Sequence, residues 1–191
     1  MLQNFTLGTF SQGASGGGGA FESIASATGT GSSGTITFSS IPGTYQHLQI
    51  RAIVRGTGGA ATSVGVLMQF NGDTGSNYAY HRLNGNGSSA AAEGFANVTL
   101  IEAGYGEIGG GGLANTMGVS VIDIHDYAST TRNKTVRSFS GTDQNNTNGI
   151  VGLASGLWRS TSAITSITLS SGFGANFATT TQFALYGIKG A

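Results

Sequence analysis

The chain has 191 residues, of which 8 are basic and 8 acidic, so charged residues make up 8% of the chain and cancel at pH 7. An average soluble protein has about 25% charged residues, and this composition provides no basic face for a nucleic-acid or anionic-membrane partner. A weakly charged surface repels its own copies little, which favours a protein that works in an assembly. The absence of cysteine excludes disulfides and thiolate metal sites.

The first twenty residues differ in composition from the rest of the chain. Met1–Phe10 is apolar, and Ser11–Ala20 is a Gly/Ser tract typical of a flexible connector. Met1–Phe10 has no cationic region and no continuous apolar run, so it does not resemble a signal peptide. We expect an arm and linker at 1–20 and one domain at 21–191. The arm residues predicted to contact the capsid or another subunit are Leu2, Phe5, Leu7 and Phe10.

From residue 21 onwards, apolar and polar residues alternate in short runs separated by Gly-rich turns. This period of two is typical of half-buried strands, and no segment has a strong helical period. The predicted strands are Phe21–Ala27, Thr35–Phe38, His47–Arg55, Val64–Phe70, Asn77–Leu83, Asn97–Glu102, Met117–Ile124, Thr135–Phe139, Ile150–Trp158, Ile164–Leu169 and Gln182–Ile188.

These strands predict an all-β protein, an antiparallel β-sandwich with a jelly roll as the favoured topology and an extended N-terminal arm. The predicted core residues are Ile36, Phe38, Leu48, Ile50, Val54, Ile167, Leu169, Phe183 and Leu185.

The loop within Phe70–Leu83 admits two interpretations. Asn71-Gly72 supplies the positive φ angles that a turn between strands requires, whereas a calcium site needs more carboxylates than the single Asp73. The turn is therefore favoured. Aromatic residues close to this loop or later in the chain could contact a glycan or a second subunit, although core packing is the commoner role of such side chains. They are Tyr78, Tyr80 and Trp158.

A second polar segment is "VIDIHDY", in which Asp123 and His125 lie on the same face of a predicted strand and Asp126 follows. A zinc site needs three or four ligands, and His47 and His81 have no ligand spacing relative to this segment. A strand end followed by a turn is favoured. With no nucleophile, metalloprotease or phosphate-binding motif, we expect no catalytic, metal or cofactor-binding residues and no enzyme activity.

Five blocks, in this order, resemble a group of small structural proteins encoded by tailed bacteriophages: "SSIPGTYQHLQIRAIVRG", "FNGDTGSNYAYHRL", "VIDIHDYASTTRNKTVRS", "SGLWRSTSAITSITL" and "FALYGIKGA". The resemblance extends from about Phe21 to Ala191. It implies a component of the virion, in the capsid or the tail, and it brings no catalytic residues or cofactors.

Two functions follow from this resemblance. The first is a capsid decoration or cement subunit on the outer surface of the shell, with the phage major capsid protein as partner. The alternative is a tail or fibre component that binds host glycans beside other tail proteins. In both we expect self-association, with a trimer favoured, and neither a nucleic-acid nor a membrane partner. A glycan-cleaving enzyme ranks third, because its two carboxylates would have to come from only four Asp and four Glu.

Overall fold

A computed structural model describes residues 19–59, 61–145 and 148–190. These residues form fourteen strands and no helix, which confirms the all-β prediction. The predicted contact residues of the arm, Leu2, Phe5, Leu7 and Phe10, lie outside the described residues. In the described part of the chain, no helix is long and apolar enough to cross a membrane.

The strands are β1 (Phe21–Thr28), β2 (Thr35–Phe38), β3 (His47–Val54), β4 (Ser63–Val64), β5 (Val66–Phe70), β6 (Tyr78–Gly85), β7 (Ala90–Val98), β8 (Ile101–Glu102), β9 (Glu107–Ile108), β10 (Gly118–His125), β11 (Lys134–Thr142), β12 (Ile150–Trp158), β13 (Ile167–Ser171) and β14 (Gln182–Ile188).

Most of these strands belong to two antiparallel sheets. The larger sheet has eight strands in the order β1-β14-β3-β10-β11-β12-β6-β7, and the smaller has four in the order β2-β13-β5-β8. β4 and β9 form a separate two-stranded sheet. The two main sheets therefore have eight and four strands. This division does not establish the jelly-roll topology.

The hydrophobic core lies between the two main sheets. Alternation along β3 turns Leu48, Ile50 and Val54 inward, where they are fully buried, and β13 contributes Ile167 and Leu169 from the opposite sheet. The predicted core is therefore confirmed, with Ile36 only partly buried at its margin.

Part of the inner face of the larger sheet is polar instead of apolar. Ser120 on β10, with Ser138 and Ser140 on β11, is buried there, and the Ser138 hydroxyl donates a hydrogen bond of 2.8 Å to the Ala103 carbonyl. The chain after β8 approaches these serines so closely that a Cβ at Gly106 would collide with the Ser120 hydroxyl. Small residues on both sides allow this close contact.

Two differences from the predicted strands have local causes. Gly65 separates β4 from β5, and a Cβ at this position would lie 2.6 Å from the Glu102 carboxylate. The predicted strand Asn97–Glu102 is wrong, because β7 ends at Val98 and β8 begins only at Ile101. The strands β7 and β9 were not predicted.

The two faces of the larger sheet can be tested with one substitution made on each. Phe183 on β14 is fully buried, whereas Phe139 on β11 is 57% exposed on the outer face. Phe183→Ala is expected to reduce the free energy of unfolding by about 3–5 kcal/mol, because it leaves a cavity. Phe139→Ala is expected to change it by less than about 1 kcal/mol. Urea unfolding measures both, and equal losses would contradict the assignment of the faces.

Candidate functional site

The outer face of the eight-stranded sheet is apolar over much of its area. In an antiparallel sheet with one solvated face, the residues that alternate with the core residues are usually polar. Here five adjacent strands place large apolar side chains at those positions, with exposed fractions between 39% and 57%. We call this surface the apolar band. Its members are Ile53, Leu83, Val119, Val121, Phe139, Val151 and Leu153.

Strand register makes the apolar band continuous. Val121 is paired with Phe139, Phe139 with Leu153, and Leu153 with Leu83, so one row of apolar side chains crosses β10, β11, β12 and β6. Directly opposite residues in antiparallel strands have Cβ atoms about 4.5–5.5 Å apart. The side chains of the row therefore pack against one another on the surface.

The apolar band is large for a monomer. The exposed fractions of its seven side chains correspond to roughly 600–700 Å² of surface, at or above the ~300–600 Å² of the largest patch on a typical monomer. A stable protein–protein interface buries about 800 Å² on each partner. The apolar band alone would supply most of that area.

A polar strip borders the apolar band on β3, β10 and β11. The Gln49 side-chain amide donates to Asp123 at 2.8 Å, and Arg137 Nε lies 3.2 Å from the other oxygen of Asp123. Arg51 Nε donates to Gln49 Oε1 at 2.9 Å. The guanidinium of Arg51 also lies over the ring of Tyr186, 5.7 Å from its centre. These contacts hold the charged groups flat against the sheet.

His125 and Asp126 are structural in the described chain. His125 ends β10, and its ring packs edge to face with His47, with the ring centres 5.1 Å apart. Asp126 has a positive φ of 48° and begins a turn, in which its backbone N–H donates to His47 Nδ1 at 3.0 Å. In the part of the chain that the structure describes, no group of three His, Asp or Glu side chains could hold a metal ion.

The loop between β5 and β6 is a turn organised by Asp73. Asn71 and Gly72 have positive φ angles of 52° and 67°, as the turn interpretation requires. The Asp73 carboxylate accepts hydrogen bonds from the Trp158 indole at 2.7 Å and from the Gly75 backbone at 2.9 Å. These hydrogen bonds, with Trp158 the largest cause, lower the pKa of Asp73.

The aromatic residues proposed for glycan or subunit contact are core residues. Tyr78, Tyr80 and Trp158 are 0%, 8% and 3% exposed. The Tyr78 hydroxyl donates to the Asp73 carbonyl at 3.0 Å, and the rings of Tyr78 and Trp158 stack with their centres 6.3 Å apart. Because this face of β6 and β12 turns inward, these side chains offer no surface to a glycan or a second subunit.

Glu107 is a buried acid that sequence analysis did not single out. Its side chain is fully buried at the inner face; Ser171 donates to Oε1 at 2.9 Å, whereas Oε2 has no hydrogen-bond partner. Burial raises the pKa of Glu107 to about 7. No sequence signal marks it, because its burial comes from the pairing of β9 with β4.

The candidate site is therefore a broad, open apolar surface with a polar border. Residues of the apolar band line its shallow hollows, with Ile53, Val121 and Phe139 in one of about 470 Å³ and Leu83 and Leu153 in one of about 760 Å³. A scan against protein-family models and a search of curated proteins both find no match to this chain.

The buried acid predicts a specific pH dependence of stability. The pKa of Glu107 is about 7 in the folded protein, against an ordinary value of 4.5. The folded protein therefore binds the carboxyl proton more tightly than the unfolded chain does. Protonated Glu107 therefore contributes fully to the free energy of unfolding below pH 4.5. This contribution, up to about 3 kcal/mol, is lost as the pH rises through 7. Glu107→Gln should be more stable than the native chain at pH 8 and similar at pH 4, as measured by urea unfolding. An equal difference at both pH values would contradict this prediction.

The turn at Asp73 predicts an energetic coupling to Trp158. Asp73→Ala leaves the buried indole N–H without its acceptor and should cost about 1–3 kcal/mol of stability. Trp158→Phe removes the same hydrogen bond from the other side, so Asp73→Ala should cost less in that background. A double-mutant cycle of urea unfolding measures the coupling, and identical costs in the two backgrounds would contradict it.

Proposed function

We propose that this protein is a structural subunit of a bacteriophage virion, with a capsid decoration or cement role on the outer surface of the shell favoured. In this role it stabilises the particle through protein–protein contacts, with the major capsid protein as partner. The proposal combines the resemblance of the five sequence blocks with the surface chemistry of the larger sheet.

The observation that carries the proposal is the apolar band. Leaving roughly 600–700 Å² of apolar side chain in water forgoes stabilisation at about 25 cal/mol per Å², or on the order of 15 kcal/mol if all of it were covered. A broad, open surface of this kind suits contact with another protein surface. Its hollows are wide open to solvent, whereas a small-molecule site encloses most of its ligand.

The charge of the protein fits the same role. With equal numbers of acidic and basic residues, the chain has little long-range repulsion from a shell or from its own copies. The charged side chains next to the apolar band already have partners within the polar strip. Arg51 donates a hydrogen bond to Gln49, and Asp123 is paired with Arg137. Covering the apolar band would therefore leave these charges paired.

The arm at residues 1–10 is proposed as a second contact with the particle, on the basis of its apolar sequence. The described chain begins at Gly19, next to β1 at one edge of the larger sheet. Phe21, at the start of β1, is 48% exposed, and the Arg51 guanidinium lies 5.8 Å from the centre of its ring. The preceding chain thus joins the domain at an exposed edge.

The alternative, a tail or fibre component that binds host glycans, has less support. It depended on an exposed aromatic cluster, and the three aromatic residues considered for it are buried in the core. Copy number separates the two roles. Hundreds of copies per virion on a quantified gel would indicate the shell, and a handful would indicate the tail.

A matched pair of double variants tests the apolar band. Phe139→Ser with Leu153→Ser changes two central members of the band, and Leu113→Ser with Phe173→Ser changes the same residue types at exposed positions outside it. In particles of a phage that carries this gene, the first pair should lower the copies retained per virion at least tenfold, because apolar burial against the shell is lost. The second pair should leave retention unchanged.

Unfolding of the isolated variants provides the control for folding. All four positions are solvent-exposed, so each variant should unfold cooperatively with a stability near that of the native chain. Full retention of the band variant on the particle would overturn the apolar band as the docking surface.

A further inference from the structure

The strand β7 is a long, unprotected edge of the larger sheet. It is hydrogen-bonded to β6 on one side, and no other strand of the described chain pairs with its second side. All of its residues from Ala90 to Asn97 are exposed. An edge of this kind presents a row of free backbone N–H and C=O groups to any chain that can pair with it.

The other sheet edges are short or irregular. β1, at the opposite edge of the larger sheet, has a register shift in its interior, between Ser23 and Ala25. The edges of the smaller sheet are β2 and β8, which have four and two residues. Bulges, charges and short length are the usual protections against edge-to-edge pairing.

β7 has less of this protection, because its one irregularity lies at its end, at Asn97, where φ is 56° and the register with β6 shifts. Its sequence, AAAEGFANV, contains no proline and no lysine. Its one charged residue, Glu93, is paired with Arg82 of β6, with the charged atoms 2.5 Å apart. Phe95 stacks on Tyr80 with the ring centres 4.8 Å apart. The large side chains are thus held on the inner side of the sheet, and the free edge is left accessible.

On the outer face of the sheet, the side chains of β7 leave room for a second copy of the same strand at its free edge. The residues on this side are Ala90, Ala92, Gly94 and Ala96, because they pair with the outward-facing residues of β6. None has a side chain larger than a methyl group, so an adjacent strand would meet no steric obstacle. A Cβ at Gly94 would lie 2.6 Å from the His81 ring of the same chain, so a larger residue there would displace this exposed ring.

A two-fold axis selects one register. In an antiparallel pair of identical strands around such an axis, one residue lies opposite its own copy. Centring the pair on Gly94 engages Ala92–Ala96, which ends before the irregularity at Asn97, where the φ angle is positive. This register places Glu93 opposite Phe95. Centring on Glu93 would oppose two like charges, and centring on Ala92 would leave Phe95, the largest side chain of β7, without an opposite residue in the strand.

We propose that two copies of this protein associate by antiparallel pairing of their β7 strands around a two-fold axis at Gly94. The two larger sheets then form one continuous sixteen-stranded sheet. Directly opposite residues point to the same face of a sheet, so both apolar bands face the same way. The inference makes specific the self-association expected from the sequence, with a dimer in place of the favoured trimer. The isolated protein tests it without the particle, so its failure leaves the docking proposal standing.

Disulfide trapping tests the register, because the native chain has no cysteine. The Gly94-centred register places Ala92 of one copy opposite Ala96 of the other, about 4.5–5.5 Å apart between Cα atoms, which is within disulfide reach. Oxidation of a one-to-one mixture of Ala92→Cys and Ala96→Cys should therefore give a covalent dimer. Each variant alone should give at least tenfold less, because like residues are offset by four positions, or about 13 Å.

A mixture of Ala184→Cys and Ala96→Cys is the matched control, since Ala184 lies on the interior strand β14. A covalent dimer in the Ala92 and Ala96 mixture that neither single variant nor the control mixture gives supports the proposal. Equal cross-linking in all samples, or none in the test mixture, overturns it.

Molar mass in solution, from light scattering after size exclusion, tests the two-fold contact. The native chain should be a dimer, and Ala92→Lys with Ala96→Lys should raise the dimer Kd at least tenfold. Ser23→Lys with Ser26→Lys places the same charges on exposed positions of β1 and should leave the Kd unchanged. A monomer, the trimer expected from sequence, or a dimer insensitive to the β7 lysines would overturn the proposal. If the β7 lysine variant fails to fold, the cross-linking result decides.

Discussion

The structure depends on one constraint: an eight-stranded sheet has two faces, and a four-stranded sheet can cover only part of one of them. The smaller sheet packs over strands whose inward residues are large, such as Leu48 and Ile50 on β3. Elsewhere on the inner face, the chain after β8 lies directly on the buried serines of β10 and β11. At the far edge, β7 extends into solvent. The apolar core, the polar part of the inner face and the free edge at β7 thus all follow from the unequal size of the two sheets.

The same constraint leaves the outer face without a cover. Its apolar side chains are aligned across four strands by register alone, so nothing within the described chain can bury them. Folding therefore fixes a surface whose burial requires another molecule. The neutral charge of the chain lowers the long-range repulsion that such a contact would otherwise meet, and Asp123 and Arg137 of the polar strip are already paired with each other.

Sequence patterning predicted the strands that alternate strongly, and it placed the core residues of β3, β13 and β14 correctly. On β11 it could not decide which face points inward. Alternation places Lys134, Val136 and Ser138 on one face and Phe139 on the other, and the structure buries the first face and exposes the phenylalanine. Neighbouring strands decide this choice, through the close approach of the chain after β8.

β7 was not predicted because its alanines, glycine and glutamate have low strand propensity. It is a strand because β6 provides a complete set of backbone partners, which is a tertiary effect that no local pattern contains. The buried aromatic residues of β6 and β12 show the same limit. Their shared face was evident from the spacing, but its inward direction followed from contacts with residues distant in sequence, such as Asp73 with Trp158.

The position of β14 has a consequence for synthesis of the protein. This last strand lies inside the larger sheet, between β1 and β3, although those two strands are among the first to be made. Until it leaves the ribosome, β1 has no partner and β3 has one open side, so the sheet remains divided. The native sheet can therefore form only after β14 has been synthesised, at synthesis rates of about 5–20 residues per second. During that interval, β1 and the open side of β3 present unpaired backbone groups, which are exposed to pairing with other chains.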